Sequence, residues 1–103
     1  MNKWIAKRKL LCSLVDSKDK SELLVRIGAP YIVEPSSVSF AVIPETSGCT
    51  VEITGADVQI TETAYGADLI QALQLASDVD PILRRVSKTH DLFFGDGEPY
   101  FED

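Results

Sequence analysis

Few side chains in this sequence could do chemistry. His90 is the only histidine, and Cys12 and Cys49 are the only thiols among 103 residues. An imidazole works as a general base only with a nucleophile in reach, so His90 would serve only if the fold set a Ser or Cys beside it. One histidine and two scattered cysteines do not make a familiar zinc site, and the thiols are too far apart for a C-x-x-C redox pair. No G-x-S-x-G elbow or phosphate-cradling glycine loop is present. Gly95-Asp96-Gly97 reads as a tight turn before it reads as a ligand loop. Asp78 with Asp80, or Asp96 with Glu98, could be paired carboxylates for glycoside or metal chemistry. In a chain with 16 acidic residues such pairs arise by chance. The residue types therefore point to a non-catalytic protein with no metal and no cofactor.

Binding is what remains. The net charge of −6 is unevenly spread. Residues 1–26 hold seven Lys or Arg against Asp16, Asp19 and Glu22, whereas residues 27–83 hold no basic residue and eight acids. Arg84, Arg85 and Lys88 follow, and the chain closes with Asp91, Asp96, Glu98, Glu102 and Asp103. Basic residues this few, with no interleaved aromatics, argue against nucleic acid; a basic protein fits better. Aromatic anchors ringed by charge are the composition of a protein–protein hot spot. Near the C-terminus Phe93, Phe94, Tyr100 and Phe101 sit among acids. The expected binding residues are Asp91, Asp96, Glu98, Tyr100, Glu102 and Asp103, with Glu45 and Glu52 from the middle of the chain. Phe93 and one neighbour are expected to face the core, with Tyr100 covering it.

These groups need elements to hold them. The length suits a single domain, and a hydrophobic fraction of 45% with 25% charged residues is globular composition. No apolar run reaches the ~18 residues of a membrane span. The basic start before Leu10-Leu11-Cys12 has too short an apolar core for a signal peptide, and a cytoplasmic protein is expected. Strands are predicted at Trp4–Val15, with Trp4, Ala6, Leu10, Cys12 and Leu14 inward, and at Glu22–Ile27, with Leu23, Val25 and Ile27 inward. Gly28-Ala29-Pro30 interrupts the second strand, so Tyr31-Ile32-Val33 continues it only on a bent or edge path. Further strands are predicted at Val38–Ile43, Cys49–Thr54, Val58–Thr63 and Asp91–Phe94, and Pro99-Tyr100-Phe101 returns after the glycine turn. Both cysteines fall on apolar strand faces, as reduced core residues.

Residues 65–86 carry the one sustained helical period, with Leu69, Leu73, Ala76, Val79 or Asp80, Leu83 and Val86 on one stripe. Pro81 should break this helix near residues 77–80, with Asp80 as a new N-cap. The predicted fold is α+β: an antiparallel sheet of five to six strands packed on one main helix, kinked or split near Pro81.

The helix start, Gly66-Ala67-Asp68-Leu69-Ile70-Gln71-Ala72-Leu73-Gln74-Leu75-Ala76, resembles the G-x-D-x-x-Q-A-L-x-L-A signature of a family of small bacterial proteins. Phe93-Phe94-Gly95-Asp96-Gly97-Glu98 looks like its closing element, and Trp4-Ile5-Ala6-Lys7-Arg8 is also similar. Gly66 would allow a tight or positive-φ entry to the helix, and Asp68 and Gln71 lie close enough to meet. Small acidic proteins of this kind look like immunity proteins of contact-dependent or polymorphic toxin systems. That resemblance implies an inhibitor that occludes the active site of a cognate toxin domain, commonly a basic nuclease. The alternative is a housekeeping or adaptor protein, self-associating through a sheet edge.

Overall fold

The computed structural model describes residues 3–34 and 45–101. Its strands are β1 (Trp4–Leu14), β2 (Ser21–Gly28), β3 (Tyr31–Ile32), β4 (Ser47–Gly55), β5 (Val58–Gly66) and β6 (His90–Phe93); α1 (Leu69–Ser77) and α2 (Asp80–Val86) lie between β5 and β6. The protein is α+β, with a curled antiparallel six-stranded sheet and a bent helical segment. The predicted strand at Val38–Ile43 lies outside the described residues.

Short polar turns join β1 to β2 and β4 to β5, so sequence neighbours pair as antiparallel hairpins. One edge of β4 pairs with β2 (Val51 opposite Ile27) and with the two-residue β3 (Gly48 opposite Tyr31). Its other edge pairs with β5 along its whole length. The Gly28-Ala29-Pro30 interruption thus leaves β3 as a short continuation of β2, as the missing proline donor requires. β6 returns after the helices to pair with β1, with Cys12 opposite Leu92 and Leu14 opposite His90.

The period-two faces explain the core. Leu10, Cys12, Leu23, Val25, Cys49, Val51 and Ile53 are buried in one cluster with Ala72, Ala76, Val79, Leu83, Val86 and Leu92. Cys12 and Cys49 are free thiols there, and burial pushes the Cys49 thiol pKa up. Alternation fails at the ends of β1. Ala6 is exposed beside a register shift between Trp4 and Ala6, Ser13 is buried, and Leu14 is 52% exposed at the mouth of a cleft.

The helical segment divides where Pro81 demands it, since proline has no N–H for a continuous ladder. The inward stripe differs from the predicted one at its start. Leu69 is 41% exposed, and Ala72 takes the buried place. The approach at this point is close: a Cβ on Gly66 would lie 2.6 Å from the Ala72 nitrogen, so α1 sits tight against the end of β5. Gly66 is therefore needed for space, and its φ is not positive. Asp68 caps α1, its Oδ1 accepting from the Gln71 backbone N–H at 2.7 Å. The Gln71 side chain in turn accepts from the Ala67 backbone N–H at 2.6 Å. This reciprocal pair is a variant of the capping box. Asp80 is not the cap of α2; Val79 holds that place and makes no side-chain cap bond. The Asp80 carboxylate is used elsewhere.

Candidate functional site

The C-terminal hairpin grows from β6. Phe94 N–H donates to Glu98 O at 2.8 Å, Gly97 N–H to Phe94 O at 2.9 Å and Tyr100 N–H to Leu92 O at 2.9 Å. Gly97 takes φ +91°, a conformation that favours glycine, and Asp96 Oδ1 accepts from Glu98 N–H at 2.9 Å. An isolated bridge between Phe93 and Pro99 closes the loop. The glycine-rich turn is thus built as a turn.

Tyr100 fixes this hairpin to the rest of the molecule. Its hydroxyl donates to Asp80 Oδ1 at 2.6 Å and accepts from Arg8 Nη1 at 2.7 Å. One phenol therefore joins β1, α2 and the C-terminal segment. Burial, then the bond to Asp80, raises the Tyr100 pKa, so the group stays a neutral phenol. Its ring lies 4.9 Å from those of Phe94 and Phe101, tilted on the first and edge-on to the second. Cations cover several aromatic faces here: Arg84 stands 3.8 Å over Phe101 and Lys20 4.3 Å over Phe93. Phe93 and Phe101 are half-buried, while Phe94 is 43% exposed.

Beside the hairpin lies an open cleft of about 770 Å³, with Phe93, Phe94 and Phe101 as apolar walls and Arg84, His90, Asp91 and Glu98 as polar ones. Asp91, Asp96 and Glu98 are all exposed. The structure therefore groups Asp91, Asp96, Glu98 and Tyr100 on one end of the molecule. Glu45 and Glu52 are not with them. Glu45 precedes β4 with φ +73°, near Ile32 and Asp68. Glu52 faces its cross-strand partner Arg26 and forms an ion pair with it, while Arg26 also stacks on Trp4. Glu102 and Asp103 lie outside the described residues.

His90 is 5% exposed, and both ring nitrogens are engaged. Nε2 lies 2.8 Å from Asp57 Oδ1, and Nδ1 lies 2.8 Å from Thr89 Oγ1. Cys12 and Ser21 line the cleft on the Asp57 side, but no ring nitrogen is left over to take a proton from either. The Thr89 hydroxyl also lies 3.3 Å from Val86 O. Donating there, it accepts from Nδ1–H of an imidazolium; rotated, it donates to the bare Nδ1 of the neutral ring. Both charge states of His90 can therefore keep the bond to Asp57. Asp57 was not marked as important by any sequence motif, and the period-two signal ends before its turn. Among the described residues no three His, Cys, Asp or Glu side chains are gathered to hold a metal ion, and no helix is long and apolar enough to cross a membrane.

No family model, curated protein or solved structure matches the chain.

Proposed function

We propose that the protein is a non-catalytic inhibitor, an immunity protein that binds a cognate toxin domain with a basic surface and blocks its active site. The observation that carries this reading is the pinned C-terminal hairpin, where exposed Phe94 stands among Asp91, Asp96 and Glu98 beside an open aromatic cleft. A rigid aromatic anchor gives contact area at low entropic cost, and surrounding carboxylates attract the cationic groups that a nuclease uses for phosphates. The helical segment packed on the sheet acts as scaffold, through Asp80 and Arg84, rather than as the contact face. The resemblance of residues 66–76 to a bacterial family supports the same class, and a cytoplasmic site of action goes with it.

Co-expression with a toxin domain encoded beside this gene tests the proposal. Protection of the cells, and a complex that weakens as salt rises, is the expected result. Unprotected cells with no complex at low salt would refute it.

A second reading is a self-associating adaptor. It is favoured by one observation: Tyr65, Leu69 and Ile70 are exposed together where β5 enters α1, and β4 is the one strand that pairs with β5 among the described residues. Light scattering across a concentration series separates the two, since an inhibitor binding through the C-terminal hairpin does not require a dimer.

A further inference from the structure

We infer that Asp57 and His90 form a clasp that reaches across the end of the sheet and holds the β4–β5 turn against β6 over Cys12. The strand registers supply the geometry. Thr54 is opposite Leu24 on β2, Glu22 and Ser21 of β2 are opposite Leu11 and Cys12 of β1, and Cys12 and Leu14 are opposite Leu92 and His90 of β6. The β4–β5 turn and β6 are therefore separated by β2 and β1. Asp57 nevertheless lies 2.8 Å from His90. A flat sheet would hold these strands about 14 Å apart, three strand spacings of roughly 4.8 Å; the contact requires the sheet to curl and the turn to reach over the ends of the two intervening strands.

The turn is shaped for that path. Gly55 has φ +147°, and a Cβ there would come within 2.3 Å of Glu22 O, so the chain crosses β2 in near contact. Ala56 follows with φ +49°, and the next residue, Asp57, reaches His90. Beneath the crossing, Cys12 is fully buried yet lines the same cleft as Asp57, His90 and Asp19. Cys49, the other thiol, lies elsewhere in the core and donates to Gly28 O at 3.2 Å. His90 also forms a wall of the aromatic cleft. The clasp thus joins the β4–β5 turn to the hairpin end of the molecule. It does not depend on the identity of any partner.

The two thiols give an internal test. Timed alkylation with iodoacetamide, read by mass spectrometry, follows Cys12 and Cys49 in the wild type and in Asp57→Ala. The expected result is a rise of about tenfold in the Cys12 rate with Cys49 little changed, the signature of local rather than global opening. Asp57→Asn, which keeps an acceptor for the ring N–H, should give a smaller rise and serves if Asp57→Ala does not fold. Equal acceleration of both thiols, acceleration of Cys49 alone, or no change at either would overturn the inference.

Discussion

Replacing Tyr100 with Phe removes one oxygen and leaves the ring in place. The hydroxyl joins two charged side chains, donating to Asp80 and accepting from Arg8. Hydrogen bonds to charged groups contribute roughly 1.5–3 kcal/mol each when well shielded. Asp80 and Arg8 are exposed and recover water when the phenol is lost, so the two bonds together should cost about 1–2 kcal/mol. For a domain of this size, each kcal/mol corresponds to roughly 4–8 °C in Tm. Urea unfolding followed by fluorescence gives the free energy, and a double-mutant cycle with Asp80→Ala isolates the pair. The structure predicts a coupling of about 1 kcal/mol between the two positions. A Tyr100→Phe protein within about 0.3 kcal/mol of wild type, with no coupling to Asp80, would show that the hydroxyl does not tie the hairpin to α2.

Three further outcomes follow from local geometry. Asp68→Ala removes the cap of α1 and should lower stability by about 1 kcal/mol, with Gln71→Ala adding less than its own full effect because the two caps act together; denaturant titration of the single and double variants checks this. Gly55→Ala should cost about 2 kcal/mol or more, because its φ of +147° is strained for any L side chain and its Cβ would strike Glu22 O; thermal unfolding reads the loss. The His90 hydrogen bond, then a hydrogen bond from its own backbone N–H and a smaller charge attraction to His90, hold the Asp57 pKa below the usual carboxylate range. A carboxyl depressed in the folded state adds stability above its unfolded pKa, and this is lost as pH falls through the folded value. Asp57→Asn should therefore flatten the acid limb of the stability-against-pH curve, measured by urea titration between pH 2 and pH 5 (roughly the carboxylate range).

Most of the sheet was legible because its strands alternate cleanly. Leu23 with Val25, and Cys49 with Val51 and Ile53, bury as period two requires. The break before α2 was legible because Pro81 leaves the chain little choice. The pairing of β6 with β1 was not, since nothing in four residues states which distant edge they join. Leu69 misled for a different reason. Its spacing fits the stripe, but it is the first residue of α1 and stays 41% exposed, while Ala72 and Ala76 take the buried places. Asp80 looked like a cap because Asp-Pro so frequently opens a helix, whereas a tertiary bond to Tyr100 claims its carboxylate. Asp91, Asp96, Glu98 and Tyr100 were singled out by composition as binding residues, and they lie on β6 and the C-terminal hairpin that follows it. Glu52, named with the binding acids, stands apart from that end of the molecule and is paired with its cross-strand neighbour Arg26, which lies 26 residues earlier in the sequence and which local patterning does not bring beside it. Asp57 and His90 meet through sheet curvature, which local patterning does not encode.

The central claim is that the C-terminal hairpin binds a basic protein partner through Phe94 and the acids around it. Under the proposed function, its most direct test is calorimetric titration of this protein with a toxin domain encoded beside its gene, using a catalytically inactive form of that domain. Wild type should bind in the nanomolar range of a standard specific interface, about −12 kcal/mol. Phe94→Ala should weaken binding at least about tenfold, the threshold of a hot-spot residue, and Asp91→Asn with Glu98→Gln should reduce the salt dependence. Binding that is absent in the wild type, or unchanged in all of these variants, would contradict the account.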